Sequence, residues 1–338
     1  MCLKIKRVDV SSKKIVGGDL FEYPNVHYDK NSDYRFEDLN EGVFISRVFE
    51  ELQRLMKETF FDFEFFIFSN HKKKVLPESI QVKSSKKKIL LYFSDELGKD
   101  PRPYSQHYFA IFKAYIGDRY GSTGNVFPIQ IGYVKDVPVF RPIKPIENRK
   151  YNVFFRGNLN KNRIDFFRNI SGLKWLFPAQ RFFRGELYRN LLLKTKVDFS
   201  SKFPDSILMF NSSFKSGYTL EKYGEILSES KIVLCPKGYD MTECFRHFEG
   251  MRAGCVILSE RLPNTEFYRG SPILEIDDWG EGIAIVKKLL ANPEQMQRIQ
   301  KQMIEWWENR CSESATARYV SERIAGLLNV ENGNATKD

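Results

Sequence analysis

The residues most able to do chemistry are concentrated in one stretch, residues 231–258, which reads KIVLCPKGYDMTECFRHFEGMRAGCVIL. A strand-like apolar run ends just before Lys237 and Gly238. Asp240 and Glu243, three residues apart, resemble a capping box that opens a helix. A helix N-terminus beside a lysine and a glycine favours binding of a diphosphate.

The helix that follows carries an arginine and a glutamate at a spacing of three residues. At 100° per residue, Arg246 and Glu249 lie together, next to an apolar side that includes Phe248. An arginine can bind two phosphate oxygens, and a carboxylate can accept hydrogen bonds from two ribose hydroxyls. The spacing therefore predicts a nucleotide-diphosphate site. An ordinary ion pair on a solvated helix is the alternative that spacing alone leaves open.

Alternating strand and helix patterns surround this stretch and predict an α/β fold with parallel strands and crossover helices. The predicted strands are residues 60–68, 89–93, 151–155, 207–210, 231–235, 255–259 and 272–276. The predicted helices are residues 42–59, 163–170, 220–228, 243–252 and several within 282–328. In open sheets of this kind ligands bind beyond the carboxyl ends of the strands. The loops after Phe155, Cys235 and Ser259 are therefore the expected site.

The length of 338 residues predicts about two domains, since a domain has about 150 residues. A proline-rich segment near residue 140 marks the boundary. We expect an N-terminal, acceptor-side domain over residues 1–140 and a nucleotide-binding, Rossmann-like domain over 141–310. We also expect a C-terminal helix over 311–328, packing back on the first domain, and a disordered tail over 329–338.

Three motifs in the C-terminal half resemble the donor-binding segment of exostosin-type glycosyltransferases. They are Cys-Pro-Lys-Gly at 235–238, Phe-Arg-His-Phe-Glu at 245–249 and Ala-Gly-Cys-Val-Ile at 253–257. The resemblance covers residues 218–290 and implies a GT-B glycosyltransferase, with two Rossmann-like domains facing across a cleft and a nucleoside-diphosphate sugar as co-substrate. Cys244 replaces the usual serine, and Val256-Ile257 replaces the usual Ile-Pro.

Bacterial-type fucosyltransferases, which use a GDP-sugar, are similar in a second way. They share a helix that begins with Thr-Glu, here Thr242-Glu243, and the strand entry at Ala253-Gly254. Both families also carry an aromatic-x-Gly loop followed by an arginine at the start of the donor domain. The matching residues are Arg156, Gly157 and Arg163. We expect them to contact phosphates or sugar, with a solvated basic loop as the alternative.

Sugar transfer requires stabilisation of the departing diphosphate and, for inversion, a base that deprotonates the acceptor. The sequence lacks an Asp-x-Asp motif, so we expect Lys237, Arg246 and the helix dipole to stabilise the charge without a metal. Asp95 and Glu96, at the exit of a strand in the first domain, are the leading base candidates. His107 and Asp19 follow them.

The chain carries 53 basic and 43 acidic residues, for a net charge of +10. The excess fits a nucleotide, an anionic membrane or nucleic acid. A nucleic-acid-binding protein is the alternative from another class, but no recognisable binding module supports it, so we expect no nucleic-acid partner. Basic segments at 72–74, 83–88 and 181–189 suit peripheral contact with an anionic membrane.

The five cysteines lack CxxC spacing and the four histidines are scattered, so we expect reduced thiols, no structural metal and no cofactor. The N-terminus lacks a signal-peptide pattern, and no apolar run is long enough to span a bilayer. We therefore expect a cytoplasmic enzyme that acts on a glycan or lipid-linked glycan in surface polysaccharide synthesis, at the inner face of a membrane.

Overall fold

A computed structural model describes residues 6–8, 23–71, 74–117, 124–171, 186–194, 199, 202–212 and 217–335. The strands are β1 Lys6–Val8, β2 Val26–Tyr28, β3 Phe63–Ser69, β4 Lys87–Phe93, β5 Ala110–Lys113, β6 Val126–Pro128, β7 Val139–Arg141, β8 Tyr151–Asn158, β9 Ile207–Asn211, β10 Ser230–Cys235, β11 Val256–Glu260 and β12 Leu274–Ile276. The helices are α1 Gly42–Met56, α2 Ile164–Ser171, α3 Glu186–Lys194, α4 Leu220–Ser228, α5 Phe245–Arg252, α6 Trp279–Leu290, α7 Pro293–Trp306 and α8 Glu313–Ala335.

The chain divides into two compact units. The N-terminal unit comprises residues 11–135, 263–270 and 308–338, and the C-terminal unit comprises residues 1–10, 136–262 and 271–307. Each unit contains a five-stranded parallel sheet. The prediction of an α/β protein with two Rossmann-like units is therefore confirmed.

In the N-terminal unit the sheet has the order β2-β3-β4-β5-β6. Strands β3 and β4 are almost continuously apolar, FEFFIFS and KKILLYF, because a central parallel strand is covered on both faces. Phe65, Phe68 and Leu91 are completely buried. Helix α8 packs against α1 in this unit. The Tyr133 hydroxyl donates a hydrogen bond of 2.5 Å to Glu313, the first residue of α8.

In the C-terminal unit the sheet has the order β12-β11-β10-β8-β9. Helices α2 and α4 to α7 follow the strands as crossovers or pack beside them, and Trp279 at the start of α6 lies 4.3 Å from Phe166 between ring centroids. The short strands β1 and β7 pair antiparallel in this unit. The unit begins at Asp136, a few residues before the predicted boundary.

Two expectations about the C-terminal residues need correction. Residues 263–270 and 308–310, predicted in the second domain, belong to the N-terminal unit. The predicted disordered tail is helical as far as Ala335. Extending an existing helix adds a hydrogen bond per residue without a new nucleation step, and Glu331 is anchored by Lys87 at 2.6 Å.

Candidate active site

The C-terminal sheet contains a point at which the strand order reverses. In chain order its five strands follow the pattern 2-1-3-4-5, with β8 first and β10 third. Crossovers leave to opposite sides of such a sheet at the first and third strands, which opens a crevice at their carboxyl ends. Arg156 and Gly157 lie at this end of β8, and Lys237 and Gly238 follow β10. The fold thus brings together two segments that are 80 residues apart in the sequence.

Arg163 fixes the two loops of this crevice against each other. The Asn160 side chain accepts hydrogen bonds from the backbone N–H groups of Asn162 and Arg163, and so starts the helical turn that carries the arginine. Arg163 donates to the backbone and side-chain oxygens of Asn158 at 2.8 Å and to the backbone oxygen of Lys237 at 2.9 Å. Burial lowers its pKa to about 10. Arg163 therefore joins the two loops, and its contact with phosphate or sugar stays a prediction.

Gly157 leaves the space in which two guanidinium groups approach the end of β8. A Cβ atom at this position would lie 2.8 Å from Arg246 Nη2 and 3.0 Å from Arg163 Nη1. Arg246 Nη2 donates a hydrogen bond to the Arg156 backbone oxygen, and its guanidinium lies 4.8 Å from the Phe155 ring centroid. A side chain at position 157 would therefore displace the cations from the strand end.

Arg246 has donor capacity that the protein does not use. Within the described part of the chain no carboxylate lies within ion-pair distance of Arg246, and its buried Nε atom has no hydrogen-bond partner. Buried polar groups in native proteins are satisfied in the large majority of cases, so an exception calls for an explanation. A guanidinium presents its donors as a fork, which matches two oxygens of a carboxylate or a phosphate.

Glu249 is buried beneath this cation. It is 5% exposed and accepts a hydrogen bond of 2.7 Å from Tyr223 Oη on α4. Burial, followed by the Glu249 charge, raises the pKa of Tyr223. The alternative of a solvated Arg246–Glu249 ion pair is therefore wrong. Tyr223 is a site residue that the sequence analysis missed, because only the packing of α4 against the sheet brings it to Glu249.

The loop between β10 and α5 differs from the prediction in where the helix begins. Gly238 N–H donates to the Met241 backbone oxygen at 3.0 Å, which closes a turn before the helix. The N-cap is Cys244, whose backbone N–H donates to His247 Nδ1 at 3.2 Å. The capping box predicted at Asp240 and Glu243 is thus wrong. Asp240 and Glu243 lie in the loop, and the helix begins at Phe245, two residues after its predicted start.

The other predicted residues of this loop flank the crevice. Lys237 and Thr242 are half-buried, and the Lys237 backbone N–H donates to Glu260 Oε1 at 3.3 Å. Glu243 is 6% exposed. A Cβ on Gly238 would lie 2.9 Å from the Met241 backbone oxygen. Lys237 is therefore the member of this group that combines a cationic side chain with access to solvent.

The three base candidates that lie in the described part of the N-terminal unit do not form one cluster. Asp95 is completely buried and accepts hydrogen bonds of 2.7 Å from Lys113 Nζ and from the Lys99 backbone N–H, so its expected place at a cleft edge is wrong. Glu96 is half-buried beside it. Exposed His107 precedes β5, and the register of β4 with β5 puts it at the opposite edge of the sheet. Asp19 lies outside the described residues.

Some of the basic residues predicted to contact a membrane have structural roles. Lys88 Nζ donates to the backbone oxygens of Ser79 and Val82, and Lys87 pairs with Glu331. Residues 72–73 and 181–185 lie outside the described residues. Among the helices that are described, none is both long enough and apolar enough to cross a bilayer.

A group of potential metal ligands occurs next to Arg246, and the sequence analysis missed it. The Sγ atoms of Cys235 and Cys244 and a ring nitrogen of His247 lie within 4.8 Å of one another, the one such group in the described ranges. Thiolate and imidazole are the ligands that zinc prefers. The i, i+3 spacing of Cys244 and His247 on one helix was the available signal. Cys235 lies next to them only because the folded loop brings the start of α5 back to the end of β10.

No family model and no curated protein matches the sequence. Solved structures of similar fold include a glycosyltransferase from Rickettsia africae, 11% identical, covering 90% of this chain and 98% of its own, with a TM-score of 0.46. HepE from Anabaena, solved with UDP-glucose, is 11% identical over 84% of this chain and 82% of its own, with a TM-score of 0.45. TarM from S. aureus, solved with UDP, is 13% identical over 85% of this chain, which spans 59% of TarM, with a TM-score of 0.47.

Proposed function

We propose that this chain is a GT-B glycosyltransferase that binds a nucleoside-diphosphate sugar at the crevice between β8 and β10. The observation that carries the proposal is Arg246, a half-buried arginine at the switch point of a parallel sheet, with no carboxylate at ion-pair distance among the described residues and an unused Nε donor. A diphosphate supplies negatively charged oxygens, two of which can accept parallel hydrogen bonds from the guanidinium group.

The same residues fit the chemistry of the leaving group. When the bond between sugar and diphosphate breaks, negative charge develops on the departing diphosphate oxygen. Arg246 and Lys237 are cations beside the strand ends, and charges that are already in place stabilise such a transition state with little reorganisation. We therefore propose transfer without a metal, with the Arg156 backbone oxygen and the Phe155 ring holding Arg246 in place. Glu249, held by Tyr223, is the proposed acceptor of a ribose hydroxyl.

The acceptor side of the reaction is proposed from the N-terminal unit. Inversion requires a base for the acceptor hydroxyl, and Glu96 replaces Asp95 as the first candidate because Asp95 is occupied by Lys113. We propose a glycan or lipid-linked glycan acceptor in surface polysaccharide synthesis, with exostosin-type enzymes as the related family. A fucosyltransferase-like enzyme is the alternative within the class, and it requires a guanosine diphosphate donor.

The proposal is tested by thermal shift and calorimetry with UDP, GDP, ADP, dTDP and CMP. We expect one nucleotide to stabilise the protein and Arg246→Gln to weaken its binding by ten- to a hundredfold, since a charge-assisted hydrogen bond contributes about 1.5–3 kcal/mol. Arg261→Gln is the matched control, because Arg261 lies in the same unit and forms an exposed ion pair with Asp277. Equal binding by the Arg246 and Arg261 variants would contradict the site.

Turnover separates the enzyme from a binding protein. Hydrolysis or transfer of the sugar from the nucleotide that binds should persist in EDTA, and loss of activity in EDTA would contradict the metal-free mechanism. Binding of nucleic acid with a steep salt dependence, and of no nucleotide, would favour the nucleic-acid-binding alternative. Flotation with anionic liposomes tests the peripheral membrane contact, which requires association that salt reverses.

A further inference from the structure

Two cysteines and a histidine meet at the N-terminus of α5. Cys235 is the last residue of β10 and is completely buried, whereas Cys244 is the half-buried N-cap of α5. Their sulfur atoms lie within 4.8 Å of each other. Cys244 precedes the helix and has an extended backbone, so its side chain can turn about χ1 without unwinding α5.

Both ring nitrogens of His247 have polar neighbours at the start of α5. Nε2 lies 2.7 Å from Ser259 Oγ, and Nδ1 lies 3.1 Å from the Cys244 backbone oxygen and 3.3 Å from Cys244 Sγ. An imidazole in contact with a sulfur atom can accept the thiol proton or donate a hydrogen bond to the thiolate.

The surroundings of Cys244 favour an anion over a cation. Arg246 Nη1 lies 4.0 Å from Cys244 Sγ, and the sulfur lies at the positive end of a helix. A metal cation at this position would be repelled by the Arg246 guanidinium.

We propose that Cys244 is a peroxide-reactive thiol and that Cys235 resolves its oxidised form into a reversible disulfide. The Cys244 thiolate attacks hydrogen peroxide, the O–O bond breaks, and a sulfenic acid and hydroxide form. The sulfur of Cys235 then attacks Cys244, the S–O bond breaks, and the Cys235 proton leaves with the hydroxyl group as water. In total two thiols lose two electrons, and one peroxide becomes two waters. A dithiol reverses the reaction.

The test uses the full chain with Cys2→Ser, so that the N-terminal thiol takes no part. Trypsin releases Cys235 in residues 232–237 and Cys244 in residues 238–246. After peroxide treatment we expect these peptides to be joined, with the loss of two hydrogens, and to separate in dithiothreitol. Peroxide-treated protein in which both peptides stay free, or in which Cys244 is found only as sulfinic acid, would overturn the proposal.

Alkylation kinetics give an independent measurement on folded protein. At about pH 6.5 an ordinary thiol is only about 1% ionised, so we expect iodoacetamide to modify Cys244 at least tenfold faster than glutathione. Cys235→Ala should accumulate sulfenic acid in place of the disulfide, whereas Cys255→Ser, which changes a buried cysteine outside the pair, should still form the disulfide. Stoichiometric zinc in the purified protein, with Cys244 resistant to alkylation, would overturn the proposal in favour of a metal site.

One further measurement, alkylation of Cys244 in the presence of nucleotide, rests on the proposed function. Because Cys244 Sγ lies 4.0 Å from Arg246 Nη1, the nucleotide that binds should slow alkylation of Cys244 severalfold. Protection that is absent while the disulfide still forms would contradict the location of the donor site and leave the thiol pair intact. A missing disulfide with normal protection would contradict the thiol pair alone.

Discussion

The carboxyl edges of the two parallel sheets carry buried charges in opposite states. In the N-terminal unit, Lys113 ends β5 and Asp95 follows β4, and the two form an ion pair of 2.7 Å with neither side chain exposed. In the C-terminal unit, Arg246 and Arg163 approach the end of β8 without a carboxylate at ion-pair distance in the described chain. The compensated pair stabilises the N-terminal unit, whereas the cations of the C-terminal unit have no carboxylate partner and are the proposed ligand-binding groups.

The strand orders explain why only the C-terminal sheet carries cations without a carboxylate partner at its carboxyl edge in the described chain. The N-terminal sheet runs in chain order from β2 to β6, so its described strands have no reversal and no crevice at a switch point. The C-terminal sheet reverses between β8 and β10, where Gly157 leaves room and the Arg163 hydrogen bonds join the two loops. The comparison predicts that substitutions at the first edge change stability and that substitutions at the second change ligand binding.

The largest expected effect is on stability, at the compensated edge. Lys113→Met leaves the Asp95 carboxylate buried without its main partner, and breaking a buried pair in this way costs about 3–5 kcal/mol. Urea unfolding should show this loss, with nucleotide affinity unchanged in the protein that remains folded. Asp95→Asn combined with Lys113→Met should recover most of it. Lys30→Met, at an exposed ion pair in the same unit, is the control, and an equal loss there would contradict the comparison.

The second effect combines stability with binding. Arg163→Met removes the hydrogen bonds to Asn158 and Lys237 and leaves carbonyl oxygens unsatisfied, which costs about 1–3 kcal/mol. Because the loops then separate, we expect nucleotide affinity to fall about tenfold, which is about 1.4 kcal/mol. Calorimetry and urea unfolding measure the two quantities. Affinity that stays at the wild-type value in a destabilised protein would show that the loops need no clamp.

The third prediction tests whether nucleotide binding requires the absence of a side chain at position 157. Gly157→Ala places a methyl group 2.8 Å from Arg246 Nη2, which is too close for a carbon–nitrogen contact, so the arginine must move. We expect a loss of nucleotide affinity of about tenfold, or about 1.4 kcal/mol, with a smaller change in unfolding free energy. Gly326→Ala is the control, because a Cβ there meets nothing within 4 Å and helix propensity favours alanine. Wild-type affinity in Gly157→Ala would remove the steric argument.

The sequence predicted the elements better than the site because the two depend on different distances along the chain. Periodicity within a few residues predicted α4 at Leu220–Ser228 and β10 to within one residue. The state of Asp95 depends on Lys113, 18 residues away, and thus on the register of two parallel strands, which no local pattern contains. The position of His107 at the opposite edge likewise follows only from this register.

Within the C-terminal unit, the motif residues were predicted but their division of labour was not. Arg156, Gly157, Arg163 and Arg246 all lie at the β8 end, as their positions after strands led us to expect. Arg163 joins the two loops by donating to the backbone oxygen of Lys237. The sequence does not show that this oxygen lies near Arg163, because only the folded structure brings the loops together. Cys235 and Cys244 escaped notice because their spacing of nine residues matches no metal-binding or redox motif.

The smallest expected effect concerns a second buried carboxyl group of the N-terminal unit. Glu41 is 3% exposed and accepts a hydrogen bond from Ser94, the residue after β4. Burial, offset in part by that hydrogen bond, raises the pKa of Glu41. The stabilisation that comes from its protonated form is complete below the pKa of an unfolded glutamate and is lost as the pH rises through the folded pKa.

Glu41→Gln imitates the protonated form at every pH. We therefore expect the variant and the wild type to unfold with similar free energies in acid, and the variant to be the more stable above neutral pH. Urea titrations at several pH values measure the difference. Ser94→Ala removes the hydrogen bond and should shift the loss of stability to higher pH. A Glu41→Gln protein that is less stable than the wild type above neutral pH would mean that an ionised Glu41 is compensated, as Asp95 is, and the two charges at this edge would then belong to one network.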